Sequence, residues 1–401
     1  MEKFEPKKFV EKQIKEIQKA IGTKKALIAV SGGVDSVTSA VLTHLAIGEN
    51  LLCVMLDDAF MRENEPQQVA QTLSKPPLNI PLKILDARER FLKAFKGLRD
   101  AEEKRKVFRE TFYNVLAETA RKENCSFLVQ GTIKADIVET AGGIKTQHNV
   151  LSQIGINSFE KFGFKIIEPL MELYKEQVRI VARHLGIPPE ISERQPFPGP
   201  GLSVRVVGEI KIDKLKTLKK ATTIVEKHLS KHNPSQYFAA IIENEDDVLL
   251  SHEVLNLRET VAHLLNVPSR NVHVKAFRDK ATGIESGKRR YGQVLLVKVQ
   301  TTHGEIHKSK ISDLIALQKK IITTNPSFTR VLYTIEEKTP KKPYTIIVRA
   351  IQTRDFLTAD VMNIPWETQK SIAEEILRQC PKVSCVCYDI TPKPPATIEM
   401  E

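Results

Sequence analysis

One stretch limits what this chain can fold into more than any other: Ser31-Gly32-Gly33-Val34-Asp35-Ser36. The apolar, partly β-branched run Ala26-Leu27-Ile28-Ala29-Val30 precedes it and reads as a buried parallel strand. Residues 37–45 follow and have helical length. The stretch is therefore a strand–loop–helix turn at the carboxyl end of a strand. N–H groups at a helix start are unsatisfied donors at the positive end of the dipole, so consecutive ones cradle an anion. Gly32 and Gly33 let the main chain approach phosphates, Ser31 and Ser36 add hydroxyl donors, and Val34 lies in the same turn. Asp35 is the odd member. A carboxylate in an anion site repels phosphate unless a cation sits between them, which implies Mg²⁺.

The spacing is not that of Walker A, and the Lys of that motif is missing. It resembles the SGGxDS loop of the ATP pyrophosphatase superfamily. Those enzymes hold the β,γ-pyrophosphate of ATP as a leaving group and adenylylate a carbonyl oxygen of the substrate. An ordinary Gly-Gly turn is the plain alternative, and the strand and helix around it count against that. The loop alone leaves the substrate open: members amidate xanthylate or deamido-NAD, make citrulline adducts, or thiolate tRNA.

A length of 401 residues points to two or three domains, and 41% apolar with 27% charged residues is an ordinary globular composition. No window approaches the apolar length of a membrane span, and the acidic and basic start Met-Glu-Lys-Phe-Glu-Pro carries no apolar signal core. Five cysteines are an odd, sparse set and point to a reducing, cytoplasmic setting. Cys380, Cys385 and Cys387 cluster, but their spacing fits no zinc pattern, so core packing is expected. The net charge of +12 suits nucleic acid or nucleotides. Basic residues are spread out and aromatics are few, so nucleotides are expected and nucleic acid is not.

Along the chain, Phe9, Val10, Ile14 and Ile17 at helical spacing predict an amphipathic leading helix. Residues 50–56, 82–86 and 126–129 read as further strands. This alternation predicts an α/β fold, a doubly wound parallel sheet with ligands at the carboxyl ends of its strands. Residues 102–122 read as a long helix with Phe108, Phe112, Val115 and Leu116 on one stripe. Its charged residues Glu102, Glu103, Lys104, Arg105 and Lys106 read mostly as a solvated face. A polar segment, Gly142-Gly143-Ile144-Lys145-Thr146-Gln147-His148-Asn149-Val150, follows the fourth strand, where a lid over an activated intermediate would sit. A plain surface loop is the alternative.

Two motifs narrow the family. Residues 194–202 read Arg-Gln-Pro-Phe-Pro-Gly-Pro-Gly-Leu, and residues 389–401 read Asp-Ile-Thr-Pro-Lys-Pro-Pro-Ala-Thr-Ile-Glu-Met-Glu. They resemble the two most characteristic signatures of GMP synthase, R-H-P-F-P-G-P-G-L and D-I-T-x-K-P-P-A-T-I-E-W-E. Other pieces match in order: Asp57 with Arg62, Asn64 and Glu65; Asp86, Glu89, Arg90, Phe91, Lys96 and Gly97; Glu102 to Lys106; Gln130-Gly131-Thr132 with Asp136 and Glu139; and the lid Ile144 to Val150. The resemblance implies an adenine nucleotide alpha hydrolase-like, N-type ATP pyrophosphatase domain over 1–203. It also implies α+β dimerisation-type subdomains over 204–336 and 337–401. The implied reaction is XMP + ATP + ammonia → GMP + AMP + pyrophosphate, through an adenylyl-XMP intermediate.

Site residues follow from the same resemblance. Ser31, Gly32, Gly33, Val34, Asp35, Ser36, Gly131 and Thr132 would bind ATP. Asp35, Lys145 and His148 would be catalytic, and Asp35 with Glu139 would hold Mg²⁺. Fixed cations are needed for the XMP phosphate. Lys393 is the first choice, then Arg289 and Arg290, with Arg194, Thr397 and Glu399 completing the XMP set. The turn around Arg289 fits a solvated hairpin as well.

The departures carry weight too. Gln147 and Gln195 each replace a family His and cannot titrate near neutrality; Asp58 replaces another His, and Met400 replaces Trp. No G-x-C-x-G-type nucleophile segment precedes the phosphate loop, so ammonia is expected from a separate class I glutamine amidotransferase subunit. Residues 294–301 and 346–353 share Gln-Thr, and each is followed by a helix and a strand, which predicts an internal duplication. Such a pair can replace the pairing between chains of a homodimer, so a monomer is expected, with a homodimer as the alternative. Three other classes compete: NAD synthetase, a tRNA-modifying enzyme on the same loop, and a non-enzymatic binding module. The first leaves 196–202 and the final thirteen residues unexplained. The second lacks a suitable Cys set, and the third needs no intact Asp35 and lid.

Overall fold

The computed structural model describes residues 4–141, 158–354 and 356–401. The chain forms two compact units: Met1–Ala94 with Arg105–Gly199, and Phe95–Lys104 with Pro200–Glu401.

The first unit carries five parallel strands, β1 (Lys25–Ala29), β2 (Leu51–Asp57), β3 (Leu82–Asp86), β4 (Cys125–Val129) and β5 (Lys165–Ile167). Their order is β3-β2-β1-β4-β5. Alternate residues of a strand face opposite sides, and both sides are covered. Ala26 and Ile28 pack with Phe9, Val37, Val41 and Val181 from the helices Pro6–Ile21, Val34–Ile47 and Lys175–His184. Leu27 and Leu128 face the other way, onto Tyr113, Leu116 and Phe164. This is the expected doubly wound parallel sheet, with the expected leading and long helices in place. The strand order reverses between β1 and β4, and the segments leaving those two strands meet at the switch point where such sheets bind ligands.

The second unit is built on one mixed sheet: β6 (Gln236–Glu243), β7 (Asp246–Asp247), β8 (Val272–Glu285), β9 (Lys288–Val299), β10 (Phe328–Glu337), β11 (Tyr344–Gln352), β12 (Asp360–Val361) and β13 (Val383–Asp389). Residues 204–336 and 337–401 both contribute strands to it. Its main order, β6-β11-β13-β10-β9-β8, has an internal two-fold. β9 runs parallel to β10, β11 runs parallel to β13, and β10 and β13 are antiparallel to each other. Tyr333 pairs with Tyr388 at the centre, and Leu332↔Asp389 mirrors Thr334↔Cys387. Helices Ile212–Leu229 and Trp366–Gln379 serve one half, and Ser251–Leu265 and Ile311–Thr324 serve the other.

The two halves are nested rather than tandem. One αββαβ half runs through 251–337. The other is split around it, as 212–243 and 344–389. Register also moves the match made from the shared Gln-Thr by one residue. Tyr333 lies beside Val297 and Tyr388 beside Val348, so Val294 corresponds to Thr345, not Ile346. Strand pairing sets equivalence here, and the Gln-Thr similarity lies past it, where the strands end. Cys385 and Cys387 pack in the core of this unit, as their spacing suggested.

Candidate active site

The loop after β1 takes the shape its residues dictate. Gly32 has φ +78°, and a Cβ on it would come within 2.7 Å of Val69 Cγ2. Ser36 Oγ accepts the Ser31 N–H at 3.1 Å and donates to Gly33 O at 3.0 Å, which closes the loop over itself. Ser31 Oγ lies 3.1 Å from Ser36 Oγ. The helix Val34–Ile47 begins at Gly33 with no side-chain cap, which leaves its first N–H groups for a ligand.

Gly131, leaving β4, packs directly on this loop. A Cβ there would sit 2.8 Å from the Asp35 carbonyl carbon and from Ser36 N. Gly131 thus works by close approach of two backbones. Thr132 is fully buried and hydrogen-bonds Glu168. Burial raises the Glu168 carboxyl above its ordinary range against that bond. Gln130 donates to the Tyr113 hydroxyl at 2.5 Å.

Asp35 shows two faces. Its Oδ2 lies 2.6 Å from Lys175 Nζ, at the start of the helix Lys175–His184. Its Oδ1 is buried and has no hydrogen-bond partner among the described residues. An orphaned carboxylate oxygen beside an anion cradle fits a hard cation, and Mg²⁺ is commonly held by one or two carboxylates plus substrate phosphates. No group of three or more His, Cys, Asp or Glu suited to a metal occurs among the described residues. Lys175 was not foreseen from the sequence. A Lys opening a helix just after β5 was the available signal, since elements after successive parallel strands converge at one sheet edge.

Arg194 lies in the first unit, beside the loop. Its Nη2 is 2.6 Å from Glu65 Oε1, and its Nη1 would be 3.5 Å from a Cβ on Gly32. Arg62 reaches the same Glu65 oxygen at 3.3 Å and lies over the Phe197 ring at 4.1 Å. The Arg-Gln-Pro-Phe stretch is therefore docked by a buried carboxylate and a cation–π contact. Glu139 belongs to the helix Lys134–Ala141. Lys145, Gln147 and His148 lie outside the described residues.

The remaining candidates lie in the second unit. Lys393 is buried, its Nζ donates to Phe356 O, and its backbone pairs with Ala359 in both directions. Glu399 receives Arg205 Nε at 2.8 Å and Gln236 Nε2 at 2.7 Å. Thr397 Oγ1 lies 2.7 Å from Glu399 O and 3.1 Å from Thr282 O, the two acceptors within reach of its one hydrogen. Arg289 pairs with Glu102 at 3.1 Å. Arg290 donates to Phe328 O at 2.5 Å and approaches Glu285 at 3.7 Å. These two arginines serve the β8–β9 hairpin and what it packs on.

Lys104 corrects the expected solvated face. It is 1% exposed, pairs with Glu401 and donates to the Val206 and Gly208 carbonyls. Glu401 also accepts from Gly208 N and the Tyr291 hydroxyl. Burial raises the Glu401 carboxyl, and Lys104 opposes it.

Similarity to known proteins covers the whole chain. The family described as "GMP synthase C terminal domain" matches residues 341–400, and "NAD synthase" matches residues 6–245. Proteins named as the B subunit of glutamine-hydrolyzing GMP synthase align over nearly all of it. That of Sulfurisphaera tokodaii is 44% identical over 99% of this chain and 100% of its own length. That of Saccharolobus solfataricus is 43% identical over the same shares, and that of Methanopyrus kandleri 38%. Among solved structures, NMN synthetase from Francisella tularensis aligns at 19% identity and TM-score 0.39 over 50% of this chain and 79% of its own.

Proposed function

Because the chain belongs to the family of GMP synthase B subunits, we propose that it is the ATP-dependent ligase half of a two-subunit GMP synthase. The single observation that carries this is full-length identity of 44% to one such B subunit. It is joined to a phosphate loop with an uncapped helix start and an orphaned Asp35 oxygen.

The xanthine carbonyl oxygen at C2 is a poor leaving group. It attacks the α-phosphorus of ATP and pyrophosphate departs; ammonia then adds at C2 and AMP leaves. The protein's part is positioning and charge stabilisation. Loop amides from Gly32 to Ser36, with Ser31 and Ser36 hydroxyls, hold the departing pyrophosphate. Mg²⁺, held by Asp35 with Glu139 as a second ligand, would neutralise charge on those phosphates. Lys175, paired with Asp35 at 2.6 Å, would share that work. Gly131 and Thr132 shape the ATP wall, and Lys145 and His148 cover the intermediate. Lys393, Thr397 and Glu399 recognise XMP, with Arg289 and Arg290 as further cations. A separate glutaminase supplies ammonia, and five buried free cysteines suit a cytoplasmic setting.

The test is release of AMP and pyrophosphate from ATP with XMP, Mg²⁺ and ammonium, with glutamine replacing ammonium in parallel. XMP-dependent turnover with ammonium but not glutamine is expected. Equal turnover with deamido-NAD in place of XMP would overturn the assignment.

A further inference from the structure

Arg330 on β10 and Arg349 on β11 flank Asp389 at the end of β13. Their Nη1 atoms reach the same Asp389 Oδ2 at 2.6 and 2.7 Å, and all three side chains are 0% exposed. Burying three charges is costly, and such triads can often be replaced by apolar residues without loss of stability. Something other than the fold of the sheet has to account for this one.

The donors left over point to what that is. The two hydrogens of Arg330 Nη2 are shared among Thr397 O at 2.9 Å, Thr397 Oγ1 at 3.0 Å and Glu399 O, with a longer 3.5 Å contact to Thr282 O. Arg349 donates to Thr391 O at 2.8 Å and Thr397 O at 3.1 Å. Asp389 Oδ1 accepts the Thr391 N–H at 3.0 Å. The triad therefore binds backbone on both sides of Lys393.

The sheet contains its own control. Under the two-fold through Tyr333 and Tyr388, Arg330 corresponds to Cys385, Asp389 to Thr334 and Arg349 to Lys298. Cys385 and Thr334 are buried without charge. Lys298 is 24% exposed and pairs with Glu337 at 2.7 Å. Equivalent strand pairings thus form on that side with no buried charge. Only the side of the two-fold that faces residues 391–399 has the triad, which takes Arg330 from one half and Arg349 and Asp389 from the other.

We propose that Arg330, Arg349 and Asp389 are positioning residues for XMP, a buried clamp that holds residues 391–399 in a preformed substrate-binding shape. The proposal rests on the reading that Lys393 and Glu399 contact XMP. Preforming the segment removes its ordering cost from the binding step. The Arg fork holds the carboxylate and the main-chain carbonyls in fixed directions from two separate nitrogens, a spread that the single nitrogen of a Lys does not reproduce.

Arg349→Lys keeps the charge and loses the fork. Its thermal midpoint should stay near that of the unaltered protein. The KM for XMP should rise about tenfold, the KM for ATP should not change, and amide exchange should quicken across 391–399. An unchanged KM for XMP with unchanged exchange would overturn the clamp. So would a fall in melting temperature with parallel rises in both KM values, which is what a merely structural role gives. If Arg349→Lys does not fold, the triple variant Arg330→Met, Arg349→Met, Asp389→Asn is read the same way. Absence of XMP turnover in the unaltered protein would instead refute the functional reading, and amide exchange would still decide the clamp.

Discussion

Adding one methyl group at Gly131 is the sharpest test of how the proposed ATP site is built. In Gly131→Ala the new Cβ would lie 2.8 Å from Asp35 C and Ser36 N and 3.1 Å from Asp35 O. Ordinary contact begins near 3.4 Å, so the two backbones must part by about 0.6 Å, and no flexible side chain can give way instead. Overpacking of this kind costs about 1–3 kcal/mol. For a unit of this size that is a fall in Tm of roughly 2–12 °C. The displaced atoms are those of the phosphate loop, and a 1 Å misplacement costs on the order of a hundredfold in rate. The expected loss in kcat/KM for XMP-dependent AMP formation is therefore about tenfold or more. Pyrophosphate release at varied ATP, with a melt on the same sample, measures both. A variant with unaltered rate and Tm would refute the idea that Gly131 is present for close approach.

Three further outcomes are expected. Asp35→Asn should abolish Mg²⁺-dependent AMP formation with little change in the melt, while Lys175→Met should lower kcat and spare the KM for XMP; pyrophosphate release checks both. Glu401→Gln leaves Lys104 charged and unpaired in the interior, so urea unfolding should show a loss of about 3–5 kcal/mol. Lys214 is pushed down to about 8 by burial. The unfolded state then binds more protons between pH 8 and 10.5, so this lysine's contribution to stability rises with pH there and is lost as pH falls toward 8. The stability difference between the unaltered protein and Lys214→Met, measured by urea unfolding, should therefore shift in favour of the unaltered protein across that window. A flat difference would refute it.

Four strands of the parallel sheet were legible because their signals are local, apolar runs of strand length that lead into a Gly or Asp turn; the three-residue β5 (Lys165–Ile167) has no such signal and was not read. The phosphate loop was legible for the same reason. Lys104 was misread because its neighbours Glu102, Glu103 and Arg105 look like a solvated helix face, and burial of one position in such a run is set by what packs on it. Arg194 shows the same limit: a motif gave its importance, and only contact with Glu65 placed it beside Gly32.

The chain's sequence determined the ATP unit, the family and the presence of a duplication, because each is written in short contiguous patterns. Tertiary structure alone decided that the duplicated halves are nested, that Lys175 faces Asp35, and that two arginines share one aspartate beneath residues 391–399. The side-chain pairs among these join positions 40 to 140 residues apart. Strand register and the low dielectric of the interior set them, and no local pattern encodes either.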